Sequence, residues 1–303
     1  MRRIVLKIDV DTDRGTLEGI PRLVSLFERL DVRATFLFSL GPDQTGRALR
    51  RVFRRGFLGK VRRTSVLKHY GLRTLLYGTL LPGPHIGRRR AGLMRDVAKS
   101  GFEVGVHTYN HAKWQDGAAK APEAWTRREL TLARDEFTEI FGRPPLVHGA
   151  AGWQVNQHVP ELERQLGFRY ASDARGVGPF MPVVNGVPAG IPQFPTTLPT
   201  LDELVGRTDL VESDPIAHLF ALTGDLVECD HVYTLHAELE GGLYLGAFER
   251  LLRGWRKRAL QLTDLASYAA SVDPARLPRC ELISGSVSGR AGRLAYQGEA
   301  LRS

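Results

Sequence analysis

Short apolar runs alternate along the chain with stretches in which apolar residues recur every three or four positions. The first run, residues 3–10 (RIVLKIDV), predicts a buried strand. Residues 17–30 then have helical spacing, and their apolar face carries Leu23, Leu26, Phe27 and Leu30. Residues 34–41 (ATFLFSLG) predict a second strand. This order of strand, helix and strand is typical of a parallel sheet.

The alternation continues over most of the chain. Residues 93–99 have helical spacing, and residues 102–107 (FEVGVH) predict a strand. Residues 126–141 predict an amphipathic helix that ends at Gly142. Further strands are predicted at residues 145–153, 168–176, 191–197 and 230–239. Over 303 residues, the pattern predicts an α/β fold in the form of a barrel.

Ionisable residues occur near the carboxyl ends of several predicted strands. In parallel barrels the chemistry collects at this end of the strands. The residues in equivalent places are Asp9, Asp11, His107, Asp173 and His236. Five such residues at one predicted edge indicate a functional site.

Two pairs of these polar residues point to a metal ion. Asp9 and Asp11 are two positions apart on or just after a strand, so both side chains face the same side. Two like charges on one face cost free energy unless a cation compensates them. His107 and His111 are four apart, and on a helix they would share a face. Two imidazoles and a carboxylate can form a facial metal site; the alternative is that both histidines make only local hydrogen bonds.

Three motifs carry a resemblance to a known family. KIDVDT at residues 7–12, VHTYNH at 106–111 and YTLHAE at 233–238 resemble motifs of the polysaccharide deacetylase family, also called the NodB-homology family. The resemblance implies a distorted (β/α) barrel that hydrolyses N-acyl groups on sugars. It also implies that Asp9 is the general base and that the ligands of one divalent metal ion are Asp11, His107 and His111. This ligand set suits zinc, manganese, cobalt or nickel.

The same resemblance assigns the acid side of the reaction. His236 in YTLHAE matches the histidine that acts as general acid. Asp173 lies where the family often has an aspartate that orients and charges that histidine. One motif departs from the family, because residues 146–156 read LVHGAAGWQVN where many members have Arg-x-Pro. Either a different group therefore holds Asp9 in place, or the pocket has a different shape.

Other segments resemble one branch of the family. GAAGWQ at residues 149–154, together with DVDTDRGTLEGIP, HTYNHAKWQD and YGTLLPGPHIG, is similar to deformylases of a lipid-linked amino sugar. The implied substrate is 4-deoxy-4-formamido-L-arabinose on undecaprenyl phosphate, and the implied role is lipid A modification and polymyxin resistance. The expected substrate contacts are Tyr109, Ala151, Gly152 and Trp153. A first alternative is an N-deacetylase of peptidoglycan or another sugar, and a second is a non-catalytic barrel that binds lipid or nucleic acid.

The charge of the chain is concentrated in one segment. Residues 44–95 contain 14 Lys and Arg and no Asp or Glu, whereas the rest has 28 basic and 33 acidic residues. Residues 47–63 have an amphipathic pattern that suits a membrane interface. The predicted contacts are Arg50, Arg51, Phe53, Arg54, Arg55 and Phe57. The alternative is a helix packed on the barrel with a solvated basic face; recognised nucleic-acid motifs are absent, so we expect no nucleic-acid partner.

The remaining features concern location and domains. The two cysteines, Cys229 and Cys280, lie far apart, which favours a reducing compartment. We find no run of about 20 apolar residues and no secretion signal, so we expect a peripheral protein on the cytoplasmic face of the inner membrane. An anionic membrane surface and a polyprenyl-phosphate-linked sugar are the expected partners. We expect a catalytic domain over residues 1–277, with the basic insertion at 44–95, and a loose extension over 278–303.

Overall fold

Parallel strands form the sheet that supports the candidate site. The structure, a computed structural model, describes residues 2–47, 76–212, 214–224 and 229–301. The strands of this sheet are β1 (Arg3–Val10), β2 (Thr35–Ser39), β3 (Glu103–Thr108), β4 (Val147–His148), β5 (Tyr170–Ala171), β8 (His231–His236) and β9 (Gln261–Thr263). Their order is β5-β4-β3-β2-β1-β8, and β9 pairs with the beginning of β1.

Helices cover this curved sheet. A π-helical turn, Gly15–Gly19, leads into α1 (Ile20–Leu30). The helices that follow are α2 (Ile86–Lys99), α3 (His111–Gly117), α4 (Glu123–Phe141), α5 (Val159–Gln165), α6 (Leu201–Leu204), α7 (Pro215–Leu222), α8 (Leu245–Lys257) and α9 (Leu265–Ala270). The parallel sheet forms a half-barrel inside these helices, which confirms the distorted (β/α) barrel.

The hydrophobic pattern explains how α1 packs. Its four predicted apolar residues are all buried. Phe27 makes edge-to-face contacts with Phe36 of β2 and Phe248 of α8, so three elements meet in one core. Helix α4 ends where Gly142 adopts a φ of +67°, a conformation that glycine adopts without steric cost.

Helix α2 corrects the predicted extent of the basic insertion. It begins at Ile86, seven residues before the predicted helix, so residues 86–95 belong to a helix of the barrel. Ile86, Met94 and Val97 are buried in the main core. Three consecutive arginines, Arg88 to Arg90, interrupt the apolar spacing at the start of the helix, so the sequence predicted only its second half.

A second sheet contains the C-terminal residues. Its strands are β6 (Met181–Val184), β7 (Val187–Pro188), β10 (Arg279–Gly285) and β11 (Leu294–Ala300), in the order β11-β10-β6-β7. The expectation of a loose extension is therefore wrong for residues 279–300. The strands hold because β10 pairs with β6 and because Cys280 and Ala295 pack on Phe180.

Two further predictions concern the remaining strands and the membrane. Residues 191–197, predicted as a strand, form only isolated bridges through Gln193 and Thr196. Within the described ranges, none of the helices combines the length and the apolar character of a membrane span.

Candidate active site

The register of the parallel sheet brings the predicted site residues to one edge. Strand β1 carries Asp9, and β8 lies beside it with Asp9 and His236 as paired positions. Asp11 follows β1 directly, and His107 lies near the end of β3. Parallel strands end at the same edge, so residues more than 220 positions apart in sequence become neighbours.

Asp11, His107 and His111 form a compact group of metal-type ligands. The Asp11 Oδ1 atom is 3.3 Å from His107 Nε2, and Asp11 Oδ2 is 3.4 Å from His111 Nε2. All three ligand atoms lie within 4.8 Å of one another. The histidines do not share a helix: His107 is in β3, and His111 is the first residue of α3. The helix begins there because the Asn110 side chain accepts a hydrogen bond from the Lys113 N–H at 3.0 Å.

Hydrogen bonds prepare this group for a cation. His107 Nδ1 donates to the carbonyl oxygen of Gly149 at 2.6 Å, which leaves the Nε2 lone pair facing Asp11. Asp11 Oδ1 is buried and has no hydrogen-bond partner within the described ranges. Buried carboxylate oxygens normally have a partner, so the residues present fit a divalent ion.

The charges of the group agree with that fit. Burial acts to raise the pKa of Asp11, but the nearby His111 and His107 outweigh it and hold the pKa below its usual value. Burial lowers the pKa of His111, which favours the neutral imidazole that a metal requires. The set therefore consists of one carboxylate and two histidines suited to bind in their neutral form.

Lys7 answers the question of what holds Asp9. Its side chain is completely buried, and Nζ lies 3.4 Å from Asp9 Oδ2. The same ammonium group donates to the carbonyl oxygen of Ser172 at 3.2 Å and lies 5.5 Å from the centre of the Trp153 ring. Lys7 is thus the charged partner of Asp9 in a chain that lacks the Arg-x-Pro motif. Its signal was a lysine within a buried strand, where charge is rare.

His236 has a different acidic partner from the one predicted. Its Nδ1 atom is 3.6 Å from Asp202 Oδ1, and its backbone N–H donates to Glu240 Oε2 at 3.0 Å. Burial acts to lower the pKa of His236, but Asp202 and the carboxylates of the site raise it to about 9. The predicted contact with Asp173 is not formed, because Asp202 at the start of α6 is the residue beside the imidazole.

Asp173 instead belongs to a second buried group, with His148 and Glu163. His148 Nδ1 lies 3.1 Å from Asp173 Oδ1 and 2.5 Å from Glu163 Oε1. Asp173 Oδ1 also accepts the Ala150 N–H at 2.7 Å, and Oδ2 accepts from Gln193 at 3.0 Å. Hydrogen bonds thus occupy these atoms and fix the loop after β4, whose Gly149 orients His107.

The protonation of this second group follows from its geometry. Burial acts to lower the pKa of His148, but Asp173 and Glu163 raise it to about 10. Burial raises the pKa of Glu163 well above its usual value. The pKa of Asp173 is lowered to about 2, because its charge interaction with His148 outweighs the effect of burial. The imidazolium of His148 and the carboxylate of Asp173 therefore compensate each other's charge.

Glu238 is a further residue that the sequence analysis missed. Its Oε1 atom accepts hydrogen bonds from the backbone N–H groups of Asp11 at 3.1 Å and Thr12 at 2.9 Å. Burial and the charge of Asp11 raise its pKa to about 8. Gly15 is required beside it, because a Cβ atom there would lie 2.0 Å from the same oxygen. Glu238 fixes the backbone of the loop that carries Asp11; its signal was an acidic residue two positions after His236.

The predicted substrate contacts lie around the same edge. Ala151, Gly152 and Trp153 form a short turn after β4, with φ values of +60° at Gly152 and +53° at Trp153. Trp153 is buried and donates to Thr196 Oγ1 at 3.1 Å, so it is part of the wall of the site. Tyr109 lies on the turn between the two histidines, and its hydroxyl is 3.2 Å from His85 Nε2. The predicted membrane contacts at residues 50–57 lie outside the described residues.

Known proteins resemble this chain over most of its length. The profile described as polysaccharide deacetylase matches residues 7–171, a range that contains Asp9, Asp11, His107 and His111. A protein of Shewanella sediminis (strain HAW-EB3) is 34% identical over 97% of this chain and 94% of its own length. A protein of Wigglesworthia glossinidia brevipalpis is 28% identical over 93% of this chain and 98% of its own. Both are named probable 4-deoxy-4-formamido-L-arabinose-phosphoundecaprenol deformylase ArnD.

The comparison with solved structures finds the same fold. A crystal structure from Mycobacterium smegmatis, assigned to the polysaccharide deacetylases, superposes with a TM-score of 0.63. The match covers 94% of this chain and 96% of that chain at 17% identity, so it bears on the fold alone. Sequence profile, full-length relatives and fold agree, and the chain belongs to the polysaccharide deacetylase family.

Proposed function

We propose that this protein is a metal-dependent hydrolase that removes the N-formyl group from 4-deoxy-4-formamido-L-arabinose linked to undecaprenyl phosphate. The observation that carries the proposal is the meeting of Asp9, the Asp11–His107–His111 group and His236 at one sheet edge. The names of two relatives that match nearly the whole chain support the substrate. In this role the protein would act in the modification of lipid A with aminoarabinose, which gives polymyxin resistance.

Asp11, His107 and His111 would hold the metal ion. When bound, a divalent ion would lower the pKa of the attacking water molecule and polarise the carbonyl group of the substrate. The chain provides the geometry: Gly149 orients the imidazole of His107, and Glu238 fixes the backbone of Asp11. The donors suit zinc, manganese, cobalt or nickel.

Asp9 would act as the general base. Its Oδ1 atom is buried and has no hydrogen-bond partner among the described residues, so it is available to accept a proton from water. Lys7 lies 3.4 Å from the other carboxylate oxygen and holds it in place. A base with one fixed and one available oxygen is oriented for a single proton transfer.

His236 would act as the general acid. An amine leaves poorly as an anion, so the nitrogen of the formamide must receive a proton as the bond breaks. The raised pKa of His236, about 9, keeps its imidazole protonated at neutral pH. Asp202 lies at Nδ1, which leaves Nε2 as the atom that can donate.

Small side chains after β4 support formyl over acetyl as the group removed. The turn after β4 has only small side chains at Ala150, Ala151 and Gly152, and both alanines are buried. A methyl group that does not fit costs roughly 1–3 kcal/mol in such a pocket, so preference rather than absolute exclusion is expected.

The membrane location is also part of the proposal. The net charge of +9 and the basic segment support contact with an anionic membrane surface, and a lipid-linked substrate requires access to one. We place the protein at the cytoplasmic face of the inner membrane as a peripheral protein. The predicted contacts remain Arg50, Arg51, Phe53, Arg54, Arg55 and Phe57.

Product analysis tests the function directly. The purified protein is incubated with the formylated lipid-linked sugar and with its acetylated analogue, and mass spectrometry measures the free amino sugar and the released acid. We expect formate and the 4-amino sugar, formed faster than the acetyl analogue is cleaved. Equal rates would favour a general N-deacetylase, and no release from either substrate would refute the proposed hydrolase.

A further inference from the structure

A cavity lies beside the candidate active site, and the chemistry described above does not use it. It has a volume of about 670 Å³ and lies between residues 42–47, α3 and α4. Its lining includes Pro42, Arg47, Tyr109, Lys113, Trp125 and Arg128. None of these residues is a proposed metal ligand, base or acid.

The cavity shares a wall with the active site. Tyr109 and Asn110 line it, and they form the turn that joins the two histidine ligands. This turn is tied to the other wall, because the Gly41 N–H donates to the Tyr109 carbonyl oxygen at 2.6 Å. The Asn110 side chain also donates to the carbonyl oxygen of Pro42 at 3.4 Å. A molecule in the cavity would therefore touch the segment that carries His107 and His111.

Charged side chains of both signs line the cavity: Arg47, Lys113 and Arg128 are basic, and Asp116 and Glu129 are acidic. Arg47 and Arg128 are both exposed. Neither forms an ion pair among the described residues, and residues 48–75 contain no acidic side chain that could pair with them. Lys113, in contrast, pairs with the buried Glu129. The neighbouring Arg127 pairs with Glu123 at 2.8 Å and is not part of the lining.

The rest of the lining is largely apolar. Its apolar members are Pro42, Ala121, Pro122, Trp125 and Leu132. Two arginines without an ion pair among the described residues suit one phosphodiester, because guanidinium groups form strong hydrogen bonds to phosphate oxygens. An apolar floor beside them suits a hydrocarbon chain rather than a free inorganic ion.

We propose that this cavity binds the phosphodiester and the first isoprene units of the lipid-linked substrate, with Arg47 and Arg128 on the phosphate. The inference rests on the proposed function, because it assumes a substrate that carries a prenyl phosphate. The sugar would then extend from the cavity, past the Tyr109–Asn110 turn, toward the metal ligands. The cavity would select the lipid-phosphate part of the substrate, and the pocket after β4 would select the acyl group.

Two substrates separate this subsite from the catalytic chemistry. The first is the formylated sugar on undecaprenyl phosphate in detergent, and the second is its methyl glycoside, which has neither phosphate nor lipid. For Arg47→Gln and Arg128→Gln, we expect the ratio of kcat/KM between the first and second substrates to fall about tenfold each, through KM. Arg127→Gln is the matched control and should keep the wild-type ratio. Thermal unfolding shows whether each variant is folded.

A binding measurement tests the subsite without turnover. Calorimetry with farnesyl phosphate as the probe should show binding to the wild type that weakens about tenfold in each arginine variant. Unchanged binding and an unchanged kcat/KM ratio would overturn the subsite, even if the deformylase activity is present. An inactive wild type would refute the proposed function, while farnesyl phosphate binding would still support the subsite.

The source of the phosphate is tested with vesicles. If the variants lose binding to phosphatidylglycerol vesicles but keep the kcat/KM ratio on detergent-solubilised substrate, the arginines bind membrane headgroups and the subsite is wrong. If the ratio falls while vesicle binding is retained, the phosphate belongs to the substrate, as proposed.

Discussion

Two buried groups of histidine and carboxylate lie close together in this protein, and they differ in how the oxygens of their aspartates are satisfied. In the first, Asp11, His107 and His111 face one another, and Asp11 Oδ1 has no hydrogen-bond partner among the described residues. In the second, both oxygens of Asp173 accept hydrogen bonds, from Ala150 and Gln193, although His148 Nε2 and Glu163 Oε2 have no partner in the described part of the chain. Residue type alone groups both as metal ligands.

The difference shows how an open site is distinguished from a structural network. An unsatisfied buried oxygen costs free energy, and Asp11 Oδ1 lies beside two histidine nitrogens with which it could hold a cation. A network whose charges compensate one another stabilises the fold and has less need of a ligand. The second group therefore supports the first, since the loop it fixes supplies the carbonyl group that orients His107.

The largest expected effect follows from removing one ligand of the first group. His111→Ala removes one of three ligands, and we expect it to abolish turnover, as chelation of the wild type should. Metal content by mass spectrometry should fall with the activity, while thermal unfolding of the metal-free form changes little. The control is His158→Ala, on a half-buried histidine outside both groups. A fully active metal-free enzyme would contradict the mechanism.

A smaller effect is expected at Lys7, which lies behind the first group. Lys7→Met keeps the side-chain length but removes the ammonium group from Asp9, so we expect kcat to fall about 10–100-fold, in line with other residues that support a site. Lys7→Arg retains the charge and should recover part of the loss. Steady-state kinetics with circular dichroism to verify folding provide the measurement. A wild-type kcat in Lys7→Met would show that Asp9 needs no charged partner.

The smallest effect is a pH dependence of stability from the second group. The folded-state pKa of His148 is about 10, above its ordinary value of 6.5, so its contribution is complete below pH 6.5 and is lost as the pH rises through 10. The free energy of unfolding should therefore fall over this range, by at most about 1.4 kcal/mol per pH unit for one proton. Urea unfolding at several pH values measures it. His148→Gln should flatten the slope, and an unchanged slope would assign it to other groups.

Much of the fold and the core of the site could be predicted from the sequence. Helical spacing placed the buried face of α1, and alternating elements predicted the parallel sheet. The resemblance to the family implied the set of Asp11, His107 and His111, and the strand ends of a parallel sheet bring these residues to one edge. These features depend on local periodicity and on short motifs, which the chain carries in order.

Other features depended on contacts that sequence order does not encode. Asp173 and Asp202 are both acidic and both lie near the candidate site, but only the path of the loops brings Asp202 to His236. Lys7 was visible in the sequence as a charge two positions before Asp9 in a buried strand. The contacts that enclose its ammonium group, with the Ser172 carbonyl oxygen and the Trp153 ring, come from distant segments. The C-terminal strands likewise form because β6 offers them a free edge.

The sequence by itself determined which residues can carry the chemistry and which side of a strand they face, because side-chain direction follows from the local repeat of the backbone. Only the tertiary structure decided which of these residues meet, which aspartate oxygens accept hydrogen bonds and which have no partner. The physical reason is that burial and hydrogen-bond satisfaction are properties of a packed neighbourhood. They arise from segments far apart in the chain, and no short stretch of sequence contains them.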